Sequence, residues 1–111
     1  MNLATAKQTA LSAWFAPGIA DEMAYNGHSV LGHLDIGAAG SNDPWLSDPD
    51  ARRDRAYAMF PEAVIDGIAD AAGYMDEVED AHGRTWIVRK ETERSGGVIR
   101  LAVERDVRPV F

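Results

Sequence analysis

The side chains in this sequence that could do chemistry are three histidines, one dense run of carboxylates and two groups of arginines. His28 and His33 stand five apart within HSVLGH. Side chains alternate faces along an extended chain, so an odd separation sends the two rings to opposite sides. They cannot chelate one ion without a bulge between them. His82 precedes Gly83, as a polar residue does at many turn tips. The carboxylates of Asp76, Glu77, Glu79 and Asp80 offer hard oxygen donors to Ca2+ or Mg2+, yet they lack the DxDxDG spacing and closing Glu of a calcium loop. On a strand they are expected to line the solvated face. Acid–base work by paired carboxylates needs an apolar pocket that moves one pKa, and no segment marks one. No GxSxG, GxGxxG or P-loop pattern occurs, and Gly96-Gly97 reads as a turn because no helix opening with Lys-Ser or Lys-Thr follows it. The absence of cysteine excludes thiolate catalysis, disulfides and Cys-ligated zinc. The expectation is a protein that is not an enzyme, with no catalytic residue, no metal and no cofactor.

The arginines point elsewhere. Arg52, Arg53 and Arg55 form the densest basic group, and Arg100, Arg105 and Arg108 punctuate the end of the chain. Both groups are interleaved with Asp or Glu, which suits salt-bridged protein contacts better than a phosphate track. Eleven basic against eighteen acidic residues leave a net charge of −7. Such a chain is a poor ligand for nucleic acid, whose binding depends on clustered Lys and Arg. With 111 residues and 46% hydrophobic content, one domain with a modest core is expected. No apolar run approaches the roughly 20 residues that span a bilayer, and residues 1–20 hold no cationic stretch leading into a continuous apolar core. A soluble protein without membrane contact, made in a reducing cytosol, is the expectation.

The elements that position these residues are mainly strands. Residues 75–106 hold three alternating apolar–polar stretches, separated by His82-Gly83 and Ser95-Gly96-Gly97. Strict alternation is the mark of a half-buried antiparallel strand, and Gly at the joints permits positive φ. Strands are expected over 77–80, 84–91 and 98–105, with Val78, Trp86, Val88, Ile99, Leu101 and Val103 facing inward. Upstream, Met23-Ala24-Tyr25, Asn26-Gly27 and HSVLGHLDI predict a hairpin with a type I′ turn. In its second strand Val30, Gly32, Leu34 and Ile36 share one face. RAYAMF, residues 55–60, predicts a further strand, and Pro61 with Val64, Ile65 and Ile68 a short helix limited by Gly67. A leading segment 1–16 contains a helix over 2–15, with Leu3, Ala6, Ala10, Leu11 and Trp14 as its apolar stripe and Pro17-Gly18 as its stop. The apolar tail VRPVF contains Pro109 and could not extend an interior strand.

Between the strands lies a long loop, residues 37–54, with Gly and Pro breakers and almost no periodicity. Ordinary connections run about 4–6 residues, and longer ones are commonly functional or disordered. Trp45 and Leu46 sit at its middle, either as interface anchors or folded back on their own core. With the arginine groups and the apolar tail, the candidate interface residues are Trp45, Leu46, Arg52, Arg53, Arg108 and Phe111.

The order of elements resembles the small head–tail connector proteins of long-tailed bacteriophages and gene transfer agents, which include the lambda-type head–tail joining and stopper proteins. The resemblance spans residues 20–105: MAYNGHSVLGHLDI, the long loop, AYAMF, GYMDEVEDAHG and RTWIVRKETERSGGVIRLAVERD. Residues 73–88 are similar to a stretch typical of that family, in which Gly-Asp precedes Val, Gly and Trp/Tyr-x-Val. Here Gly73-Tyr74-Met75-Asp76 replaces the Gly-Asp pair. The resemblance implies a small antiparallel β-barrel or sandwich with a short N-terminal helix and a long inserted loop. It implies a ring, a hexamer or dodecamer, with a portal or adaptor ring on one side and a tail terminator or tail tube on the other. Such a ring closes the DNA channel after packaging and docks the tail, in a virion or phage-like particle assembled in the bacterial cytoplasm. DNA would pass through without specific binding, repelled by a negative wall. Two other readings exist: the last hairpin also resembles the closing strands of PAS-type sensor domains, and the charge alone suggests an acidic inhibitor that mimics DNA. A PAS-type domain needs a helical middle and a ligand pocket.

Overall fold

The computed structural model describes residues 13–37, 43–46 and 53–106. Six strands are antiparallel to their neighbours: β1 (Asp21–Tyr25), β2 (His28–Asp35), β3 (Arg53–Pro61), β4 (Glu77–Glu79), β5 (Thr85–Ser95) and β6 (Val98–Asp106). One five-residue helix, α1 (Glu62–Asp66), follows β3. The strands close on themselves in the order β1-β2-β3-β6-β5-β4. Closure leaves no strand without a partner on either side, although β4 covers β5 only over Thr85–Ile87 and β1 only at Ala24 and Tyr25.

Local chemistry explains the joints. Asn26 (φ +49) and Gly27 (φ +84) form the left-handed pair that a two-residue type I′ turn requires, and Tyr25 pairs with His28 across it. At Gly32 the inner wall has no room for a side chain. A Cβ there would lie 2.5 Å from the Phe60 ring and 2.8 Å from the Met59 carbonyl oxygen. The absent side chain lets Phe60 cross the barrel to meet Tyr25 edge-on, with centroids 5.9 Å apart.

The interior is filled by Tyr25, Phe60, Val78, Trp86, Val88, Leu101 and Val103, with Met23, Val30, Ile65 and Ile99 around them. All six residues expected to face inward on the last three strands are buried. Ile36, expected to share a face with Val30, Gly32 and Leu34, is 63% exposed. Strand β2 stops at Asp35, whose carboxylate accepts the Gly37 N–H at 2.8 Å and turns the chain away. The loop also ends sooner than expected, because Arg53 already pairs with Asp106. Strand β5 outruns its alternation through register shifts between Val88 and Lys90 and between Glu91 and Glu93. Such bulges keep a polar segment paired after its period-two pattern has failed. Of the helix expected over 2–15, residues 13–15 are described: Ala13 and Trp14 are helical, and Phe15 is already in a turn. Residues 1–12 lie outside the described residues.

Two acidic residues expected on the solvated face are buried instead: Asp76 is 7% exposed and Asp80 6%. Glu77 and Glu79 between them remain exposed. Asp80 opens the β4–β5 turn. Its carboxylate accepts the His82 and Arg84 amides at 2.9 and 3.0 Å, the Arg84 guanidinium at 2.7 Å and the Trp86 indole N–H at 2.9 Å. Burial alone would raise its pKa, but these donors, led by Trp86, hold it at about 2. Asp76 accepts the Tyr25 hydroxyl and the Ala72 and Gly73 amides. Burial again works upward, and the hydrogen bonds keep its carboxyl below the usual range. Tyr25 is pushed well above its usual range, first by burial and then by Asp76.

Two expectations follow. Trp86→Ala removes an indole that is 1% exposed and one of the four donors to the Asp80 carboxylate; a loss of about 3–5 kcal/mol in urea unfolding is expected, and a loss under about 1 kcal/mol would place that ring outside the core. Asp76 and Asp80 bind protons more weakly folded than unfolded. Their stabilisation is complete above about pH 4 and drains as pH falls toward 2. Thermal melts should therefore fall steeply across that window, and more shallowly in Asp80→Asn; parallel curves would contradict the assignment.

Candidate protein–protein interface

The side chains that converge outside the core do so on the outer wall of β3, β6 and β5. Ile99, Leu101 and Val103 of β6 point inward, so Glu104 points outward, yet it is 4% exposed. Arginines cover it. Arg53 Nη1 donates to Glu104 Oε1 at 3.0 Å, and Arg55 Nε to Oε2 at 3.4 Å. Arg89 Nε donates to Oε1 as well. Register places Arg55 directly across from Glu104, while Arg89 is the extra residue of the β5 bulge. The bulge is what aims Arg89 back at β6. Three guanidiniums thus converge on one carboxylate.

Apolar groups border this cluster. Arg89 Nη1 also reaches the Met75 sulfur at 3.2 Å. Met75 holds a left-handed backbone (φ +70) and is exposed, as is Tyr74 beside it. On the other flank the Arg55 guanidinium lies 4.7 Å from the Trp45 ring centroid, and Lys90 Nζ lies 5.7 Å from it. The Trp45 indole N–H donates to the Ala56 carbonyl at 2.8 Å. Asp43 fixes the short loop piece by accepting the Trp45 and Leu46 amides and the Tyr57 hydroxyl, at 2.8, 3.4 and 2.8 Å. The Tyr57 bond is the main reason that the Asp43 carboxyl sits below its usual range. Arg100 covers the Tyr57 ring at 4.4 Å.

Of the residues singled out from sequence, Trp45 and Arg53 meet in this patch. Trp45 lies against its own barrel wall, so the folded-back arrangement describes its ring. Leu46 turns the other way, against Gly37, and lines a shallow cleft with Ile36, Arg84 and Trp86. Arg52, Arg108 and Phe111 lie outside the described residues. Glu104, Arg89, Lys90, Tyr74 and Met75 were not foreseen. Only the alternation of β6, which sends Glu104 to the face opposite Val103, carried a trace of them.

The histidines are dispersed. His28 approaches Asp70 at 3.3 Å, whereas His33 stacks on Trp14 with centroids 4.5 Å apart. Among the described residues no three His, Asp or Glu side chains group as metal ligands. A cleft of about 450 Å3 opens near α1, lined by Tyr25, Ile65, Ile68, Tyr74, Lys90 and Arg94 among others.

The cluster gives a graded expectation for stability. Glu104→Gln leaves three cations around a neutral amide and should cost about 1–3 kcal/mol. Arg53→Ala removes the most exposed of the three partners and should cost under about 1 kcal/mol. Equal losses in denaturant titrations would show that Glu104 does not organise the patch.

Comparison of the chain with protein-family models, with curated proteins and with solved structures finds no match.

Proposed function

We propose that this chain is a structural subunit of the head–tail junction of a bacteriophage or gene transfer agent. Copies form a ring that closes the DNA channel after packaging and docks the tail. The observation that carries this reading is the patch around Glu104, where Tyr74, Met75, Trp45 and four cations share one wall. Aromatic residues, Met and Arg are the side chains enriched in protein interfaces. In a closed barrel side-chain faces such as this one are the main surface open to partners. The sequence resemblance supplies their identity: portal or adaptor on the head side, tail terminator or tail tube on the other. A subunit charge of −7 suits a channel that DNA must traverse without sticking. Particle assembly would take place in the bacterial cytoplasm.

The PAS-type reading has less support, since the middle of the chain is a nine-residue strand and a five-residue helix.

The test is sedimentation of the protein with DNA-filled, tailless heads. Cosedimentation, with recovery of tail joining, is expected. Tyr74→Ser with Met75→Asn should leave folding within about 0.5 kcal/mol of the parent, because both residues are exposed and Asn tolerates the left-handed backbone. Head binding should fall about tenfold or more with these anchors gone. Binding to naked DNA but not to heads would overturn the connector reading. Tight binding to a nuclease, with heads left bare, would favour the DNA mimic.

A further inference from the structure

The closed strand order divides the barrel into two contiguous halves of three strands, β4-β1-β2 and β3-β6-β5. Their charges differ in kind. The β4-β1-β2 half carries Asp21, Glu22, Asp35, Glu77 and Glu79 and no Lys or Arg. The β3-β6-β5 half carries seven Lys or Arg residues against five carboxylates. Asp43, Glu62 and Asp66 add three carboxylates against this half, through Tyr57 and Arg94, so its cations stand in excess only locally, where Arg55, Arg89 and Lys90 gather beside Glu104 and Trp45. On its outer wall Arg53, Arg55 and Arg89 share Glu104, and Lys90 pairs with no carboxylate among the described residues. On the other half, Glu22, Glu77 and Glu79 are exposed, and Glu79 stands across from Ala24.

We infer that copies of this chain associate head to tail, the cation patch on the β3-β6-β5 wall of one against the carboxylate β4-β1-β2 wall of the next. The two walls lie on opposite sides of one barrel, so each copy can engage two neighbours at once. Two cation patches, or two carboxylate walls, repel when brought together, which disfavours a two-fold dimer through either. A contact between two different surfaces is heterologous, and it propagates into a ring or an open filament. Exposed ion pairs contribute little each and are screened by salt, so free copies remain largely apart and gather where a template concentrates them. This assignment of faces rests on the ring reading above, but it fails or holds by a separate measurement.

The sequence contains two lysines, Lys7 and Lys90, and Lys90 lies in the cation patch. A carbodiimide joins an amine to a carboxylate with no spacer, so it records direct contact. Equal amounts of 14N- and 15N-labelled protein are mixed, then cross-linked free at millimolar concentration and again bound to DNA-filled heads. Peptides linking Lys90 of one isotope to Glu22, Glu77 or Glu79 of the other are expected. They should fall about tenfold in about 1 M salt in the free protein. The paired variant Glu77→Lys, Glu79→Lys should not associate alone, nor should Lys90→Glu, Arg100→Glu. Their mixture should associate, because every contact in it is again between opposite charges. Cross-copy links from Lys90 confined to Glu91 or Glu93 would mean that like walls meet, and would overturn the proposal. So would the absence of cross-copy links both in free protein and on heads. Head binding without the expected links would leave the connector reading standing and remove this one. The expected links without head binding would do the reverse.

Discussion

The seam between β1 and β4 is the constraint on which the rest depends. It contains two residue pairs, Ala24 with Glu79 and Tyr25 with Val78, whereas β3 and β6 share nine. So short a ladder needs other support, and side chains provide it. The Asn26 amide donates to the Glu77 carbonyl at 2.8 Å, and the Glu77 amide donates back to Asn26 Oδ1 at 2.8 Å. Tyr25 reaches Asp76 from inside the barrel. Asn26 thus both makes the first hairpin turn and fastens the last strand to the first. Without the seam, β1 and β4 would become open edges, the form in which small sheets aggregate.

Closure also sets where charge can go. Once the interior is committed to Trp86, Tyr25, Phe60 and the aliphatic residues around them, charged side chains must lie on the outer walls or at the two ends. At one end Arg105 pairs with Asp54 at 2.8 Å, and the Arg84 and Arg105 guanidiniums lie 5.8 and 5.5 Å from the Trp86 ring centroid. At the other, Arg94 gathers Glu62, Asp66 and Glu91 within 3.0 Å. Between the ends, the strand order brings the cation-bearing strands together on one side. A different order of the same strands would have dispersed the cations around the barrel. The topology, more than any single residue, makes the barrel two-faced.

Much of this was legible in the sequence, because alternation and turn chemistry are local. Asn26-Gly27, the paired glycines at 96–97 and the inward set from Val78 to Val103 could be read within a few residues. What could not be read depends on distant partners. Glu104 in LAVERD looks like a solvent-facing glutamate, and its burial depends on Arg53 and Arg55, which lie 51 and 49 residues away in sequence. The β5 bulges leave no period to detect, so Lys90 and Arg89 gave no sign of their shared wall. Asp76 and Asp80 were misplaced for a related reason: alternation counts residues and cannot see that a carboxylate is capping a turn. Asp80 carried the better clue, since Asp followed two residues later by a free amide is a common turn former.

On the proposed reading, this barrel becomes a ring at the vertex where the tail attaches. Electron microscopy of DNA-filled particles bearing this chain, reconstructed at that vertex, tests it most directly. A ring of copies coaxial with the DNA channel is expected, the β4-β1-β2 wall of each against the β3-β6-β5 wall of the next. A vertex without this chain, or a ring whose copies meet through like walls, would contradict it.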